Sequence, residues 1–225
     1  MTRSVLFDTE TTGLDPLTGD RVIEVAAIEL YNDFPTGRTL HRLIDPQRDI
    51  PDGATRIHGI TSSHLLGKPL FGDIAADLIE FFGDSNLVAH NAPFDFGFLN
   101  AEFARLGLAP LAATRMIDTL ALAKTRFPGL PNNLDALCRR FAIDLSERTT
   151  HNALLDCRLL AQVYVELTGG RQRGLGLAAT QVTQTRTYQR KAERRPVLVS
   201  VSAAEEARHQ ALLARLKQPI WGMAG

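Results

Sequence analysis

Short apolar runs and longer stretches of helical period follow one another along the first 170 residues, and their order predicts the fold. Residues 5–7 (Val-Leu-Phe) read as a short buried strand and residues 22–30 as a longer one with partial alternation. A third strand is predicted over 38–44. Gly13, Asp15, Pro16, Gly19 and Asp20 fall between the first two strands, so these form an antiparallel pair with a long connection. Helical spacing covers 74–82, residues 87–89 are a brief strand, and Pro93 opens a helix that reaches Leu106 before Gly107 stops it. Met116 and Ile117 suggest a strand end, and helices follow at 119–125, 133–141 and 153–167. A meander of strands followed by alternation with helices predicts an α/β fold with a mixed sheet.

Beyond Gly170 the pattern changes. Residues 171–201 are rich in Thr, Gln and Arg and poor in large apolar side chains, too polar to bury a core, and read as a flexible linker. Ser202 and Glu205 form a capping-box pattern that opens an Ala/Leu-rich helix to about Leu216, and Trp221 follows, giving a detachable docking segment over 202–225.

The 225 residues carry 25 basic and 25 acidic side chains, but the balance is uneven. Residues 1–170 hold 15 basic against 22 acidic side chains, a net charge of −7, and residues 171–225 hold 10 against 3, a net charge of +7. A basic tail attracts an acidic partner or a phosphate backbone, and an acidic globule can hold cations. A hydrophobic fraction of 44% excludes collagen-like and wholly disordered classes. Cys138 and Cys157 stand apart from any CxxC or metal-ligand pattern and are expected in the core of a reduced, cytoplasmic protein. No run approaches eighteen apolar residues, so no membrane association is expected.

Asp8 and Glu10 lie two apart at the end of the first strand, which puts both carboxylates on one face of the sheet. Asp95 falls on the inward face of the helix opened by Pro93, in register with Phe98, Leu99, Phe103 and Leu106. Asp156 falls within the apolar stripe Ala153, Cys157, Leu160, Tyr164 and Leu167. Buried carboxylates must be paired or bound to metal, and no Arg or Lys lies close by on these stripes. His151 converges with Asp156 only if it precedes the last helix, which the capping residue Asn152 allows. There it is a mobile, solvent-accessible imidazole suited to act as general base.

Residues 7–13 (FDTETTG), 89–95 (AHNAPFD) and 151–156 (HNALLD) resemble, in order, the three motifs of the DEDDh 3′→5′ exonucleases, over residues 4 to about 168. The resemblance implies a ribonuclease H-like fold for residues 1–170, in which Asp8, Glu10, Asp95 and Asp156 hold two Mg²⁺ or Mn²⁺ ions and His151 activates the attacking water. It also implies that Thr11, Leu14, His58, Asn91 and Phe94 hold the terminal nucleotide of a single-stranded or frayed DNA 3′ end. The chain departs from many relatives in carrying Gly53, Ala54 and Thr55 where a Glu precedes the His-Gly step. Gln172, Leu175 and Leu177 resemble a sliding-clamp-binding peptide. The basic linker, helix and Trp221 resemble the tail by which a bacterial proofreading subunit binds the catalytic subunit of its replicative polymerase. Other readings are a free-standing RNA-trimming exonuclease, a catalytically silent nucleic-acid-binding scaffold, and a tail that serves as a nonspecific DNA-binding arm.

Overall fold

The apolar run at Val5 lies at the centre of a five-stranded mixed sheet in a computed structural model that describes residues 2–148, 150–169 and 200–216. Strand β1 (Arg3–Thr11) pairs antiparallel with β2 (Val22–Tyr31), which pairs antiparallel with β3 (Phe34–Leu43). On its other side β1 pairs parallel with β4 (Asn86–Ala89), which pairs parallel with β5 (Met116–Asp118). The order is therefore β3-β2-β1-β4-β5.

Residues 4–7 of β1 are all buried because helices cover both faces of the sheet. Val5 and Phe7 point into one core, which α3 (Phe71–Phe82) and α4 (Ala92–Arg105) complete with Phe82, Phe96, Phe98 and Phe103. Leu6 points the other way, toward α5 (Thr119–Arg126), α6 (Leu134–Arg140) and α7 (Ala153–Leu167). Cys138 and Cys157 are free, buried thiols of this second core, as composition predicts. The period of two that separates the cores also carries Asp8 and Glu10 to the α7 side.

The regular elements run longer than their apolar kernels, since backbone pairing continues past the last buried side chain. Two short helices, α1 (Asp52–His58) and α2 (Ser62–Leu65), lack a predicted counterpart because seven and four residues show no periodic stripe. Leu106 does not continue the buried face of α4; it lies past the last helical residue and is exposed.

The chain divides into two compact units, residues 1–176 and 177–225. In the second, α8 (Ala203–Leu213) begins at the predicted capping box: the Ser202 hydroxyl accepts from the Glu205 N–H at 3.3 Å and the Glu205 carboxylate from the Ser202 N–H at 3.0 Å. Leu212 of this helix is exposed. Gln172, Leu175, Leu177 and Trp221 lie outside the described residues. Among the described residues no helix is long and apolar enough to cross a membrane.

Candidate active site

Four elements meet at the carboxyl end of β1, and a buried polar contact fixes each. A bulge after Glu10 shifts the register, so that Glu10 pairs with Glu24 but Thr11 with Val22. Like charges opposite one another destabilise a strand pair. Glu24 instead turns to the start of α7, where it accepts from the Ala153 N–H and the Asn152 amide, both at 3.2 Å, and bonds His41 at 2.6 Å. An anion at a helix N-terminus is favoured by the unpaired N–H groups and the dipole. Glu24 thereby locks α7, and with it Asp156, onto the sheet. An acid within the apolar run 22–30 is the sequence signal that could have singled it out.

Asp95 arrives from the opposite side, on the first turn of α4. Its Oδ1 accepts from the Thr9 hydroxyl at 2.7 Å and the Thr9 N–H at 3.1 Å. The start of α4 is held by Asp118 at the end of β5, whose Oδ1 accepts from the Asn91 N–H at 3.0 Å and also caps α5. Farther along α4, buried Glu102 takes a two-pronged bond from Arg21 at 2.7 and 2.9 Å, which ties the helix to the start of β2. These positioning acids carry no motif of their own in the sequence.

His151 does precede α7, whose N-cap is Asn152, and its Nδ1 lies 3.5 Å from Asp156 Oδ2. The imidazole is half exposed, as expected, but the residue is anchored: its N–H donates to the Ile57 carbonyl of α1 at 3.1 Å. No Arg or Lys lies on the stripe, but Asp156 is nonetheless paired. Arg148 lies outside the α7 stripe, on the loop before His151, yet its Nε and Nη2 donate to Asp156 Oδ1 and Oδ2 at 2.6 and 2.7 Å. A search along helix stripes misses a partner supplied by the preceding loop.

Single ligand atoms of Glu10, His151 and Asp156 all lie within 4.8 Å of one another, and Asp8 shares with His151 and Asp156 a cavity of about 280 Å³. Asp95 stands behind this trio, turned to Thr9. Burial, then the charges of Asp95 and Glu10, hold the Asp8 carboxyl well above the ordinary carboxylate range. Burial and Glu24 push Glu10 up to about 8. Burial also raises Asp95 to about 7, against the lowering effect of its bonds from Thr9. Crowded oxygen donors whose ionisation is resisted by one another are the donor set a hard divalent cation neutralises, so these residues fit a metal centre.

The sign of the resulting pH dependence is fixed. Glu10 ionises near 4.5 when unfolded and near 8 when folded, so its favourable contribution to the cation-free fold is complete below the first value and lost through the second. In EDTA the thermal midpoint is therefore expected to fall between about pH 5 and pH 8. Mn²⁺ should restore more at pH 8 than at pH 6, as differential scanning fluorimetry would show; equal restoration would argue against a carboxylate-held cation.

The residues expected to hold the terminal nucleotide differ in exposure and in how they are held. Leu14 is 81% exposed, which removes core packing as its role. Its loop is clamped: Asp20 accepts from the Thr12 hydroxyl and the Asp15 N–H, each at 3.2 Å, and binds Arg48 at 3.1 Å. Gly13 makes this possible, since a Cβ there would stand 2.1 Å from an Asp20 oxygen. Thr11 is buried and donates to the Gly13 carbonyl at 2.6 Å. Asn91 is exposed in the left-handed region at φ 65°, a strained conformation of the kind functional sites retain. Phe94 is half-buried against Phe98, with ring centres 4.8 Å apart, so it remains partly a packing residue. His58 is buried; its Nδ1 accepts from the Ile60 N–H at 3.0 Å while its Nε2 is unpartnered.

A family model of RNase T-type exonucleases matches residues 5–164. The DNA polymerase III subunit epsilon of Rickettsia felis is 46% identical over 221 residues, spanning 95% of this chain and 96% of that one. The subunit of the same name from Salmonella typhimurium is 40% identical over 226 residues, spanning 95% and 93%. Exonuclease X, solved with 5′ overhanging duplex DNA, superposes at a TM-score of 0.58 with 26% identity, over 75% of this chain and 92% of that one. A zinc-bound E. coli exonuclease I complex with single-stranded DNA superposes at 0.65 with 22% identity, over 76% and 41%, which shows the fold alone. The mixed sheet with helices on both faces is thus the ribonuclease H-like fold of these exonucleases. With the three motifs converging at the end of β1 and the family match spanning nearly all of the first unit, the chain belongs to the RNase T-type exonuclease family.

Proposed function

We propose that this chain is the proofreading 3′→5′ exonuclease subunit of a bacterial replicative DNA polymerase, working in the cytoplasm and releasing nucleoside 5′-monophosphates from DNA 3′ ends. The observation that carries it is the convergence of Glu10, His151 and Asp156 within 4.8 Å, beside Asp8, in a chain similar over nearly its whole length to DNA polymerase III epsilon subunits. Asp8, Glu10, Asp95 and Asp156 would hold two Mg²⁺ or Mn²⁺ ions. When bound, such ions stabilise charge on the attacking and leaving oxygens of an in-line displacement at phosphorus.

The chain's own residues do the rest. His151 takes a proton from the attacking water as the new P–O bond forms and the bond to the 3′ oxygen of the penultimate nucleotide breaks; that oxygen takes up a proton from solvent and becomes the new terminal hydroxyl. Leu14, exposed on its clamped loop, meets the terminal base, and half-buried Phe94 would add a second apolar contact. Apolar contact with a base is sequence-tolerant, and paired ends must unpair to reach it. Thr11, His58 and Asn91 line the approach and supply polar contacts to the terminal nucleotide. In the tail, Gln172, Leu175 and Leu177 would bind the sliding clamp, and 202–225, with Trp221, the polymerase catalytic subunit. A tether of this kind raises the effective concentration of the exonuclease at the primer end without any new contact.

Incubation with Mg²⁺ and 5′-labelled DNA should give a ladder from the 3′ end, faster on a mismatched than a paired terminus, and EDTA should stop it. A preference for an RNA oligomer of the same sequence would move the protein to the RNA-trimming branch, and cleavage of neither would leave a silent scaffold. A chain ending at residue 170 is expected to retain full activity on single-stranded DNA and to lose co-elution with polymerase and clamp; retained co-elution would remove the tether.

A further inference from the structure

Arg148 uses all three guanidinium nitrogens on the groups around the proposed metal centre. Besides the two-pronged bond to Asp156, Nη1 donates to Asp135 Oδ1 at 2.6 Å and Nη2 lies 3.1 Å from His151 Nδ1. Both partners of the central pair are almost fully buried, with side-chain exposures of 9% and 6%. Among the described residues that line the cavity with Asp8, His151 and Asp156, it is the sole Lys or Arg.

We propose that Arg148 is a built-in competitor of the catalytic cation: it closes on Asp156 in the cation-free protein and must yield that carboxylate before a divalent ion binds there. The proposal rests on Asp156 being a metal ligand. Both Asp156 oxygens are committed to the guanidinium fork, and two cations on one carboxylate repel where that carboxylate is itself buried. Arginine does not deprotonate in proteins, so raising the pH does not relieve the competition and the side chain must move. Asp135, on α6 and partly exposed, keeps hold of the guanidinium when Asp156 is released. Arg148 is thus a positioning residue with two effects: it neutralises a buried acid when no ion is present, and it raises the ion concentration needed to load the site.

The direction of the effect separates this role from a purely structural brace, whose loss would weaken ion binding. Calorimetric titration of Mn²⁺ into the metal-stripped full chain is expected to show Arg148→Gln binding on the order of 10-fold more tightly than the parent. Arg148→Lys keeps the charge but loses the fork and should fall between the two. In EDTA the Gln variant should melt below the parent, and Mn²⁺ should raise its midpoint by more. Equal or weaker Mn²⁺ binding by a folded Arg148→Gln overturns the proposal, and if that variant does not fold, equal or weaker binding by Arg148→Lys does so. No Mn²⁺ binding by the parent removes the metal role of Asp156 and the competition with it. Metal-dependent laddering by the parent beside unchanged affinity in both variants removes the competition alone.

Discussion

Asp8→Ala is expected to abolish release of mononucleotides from a DNA 3′ end while leaving a protein at least as stable in EDTA as the parent. The two halves of that result share one cause. The Asp8 carboxyl is held well above the ordinary carboxylate range by burial and by Asp95, Glu10, Asp156 and Glu24, so in the cation-free fold its ionisation works against its neighbours. Its removal relieves them. The same crowding is what a pair of divalent ions would convert into binding, and the charge stabilisation such ions give the transition state amounts to several kcal/mol. At about 1.4 kcal/mol per factor of ten, the loss should be at least on the order of 10³-fold in kcat. Single-turnover cleavage of labelled single-stranded DNA measures the rate, and thermal melting at pH 8 in EDTA and in Mn²⁺ measures the compensation. The parent should gain more from Mn²⁺ than the variant does. A variant with full activity would take the metal centre away from this end of β1, and one that melts well below the parent in EDTA would show Asp8 to be a structural group.

The residues proposed to do chemistry were easier to read than the residues that aim them, and the reason is physical. Asp8, Asp95 and Asp156 break an apolar period, and a charge on a buried face is conspicuous because it is costly. The kernels of all five strands and the helices from α3 to α8 follow from the same periods. Glu24, Asp118, Glu102 and Arg148 act through contacts between segments far apart in sequence, such as Glu24 with Ala153 and Arg21 with Glu102. Nothing in the local spacing of either partner records these pairs. Arg148 shows the consequence: the sequence pattern left Asp156 without a cation because the guanidinium comes from a loop that has no period. Leu14 shows the converse, since a leucine is an ordinary core residue type and its 81% exposure is visible only in the loop that Asp20 clamps under Gly13.

The second large effect is expected at His151. His151→Gln should lower kcat by roughly 10² to 10⁴-fold, the range typical of a lost general base, with KM for single-stranded DNA little changed. The split follows from the geometry. The imidazole is half exposed beside the cavity with Nδ1 3.5 Å from Asp156 Oδ2, and a ring proton held on Nδ1 by that carboxylate leaves Nε2 to take a proton from an incoming water. A group that accepts a proton only as the reaction proceeds contributes to the transition state and not to ground-state binding. Because the site is open to solvent at this side chain, free imidazole added to a smaller variant, His151→Gly, should restore part of the rate in proportion to its concentration. A KM rise of similar size to the kcat loss would make His151 a substrate-holding residue, and an unchanged kcat in His151→Gln would assign the proton transfer to another group.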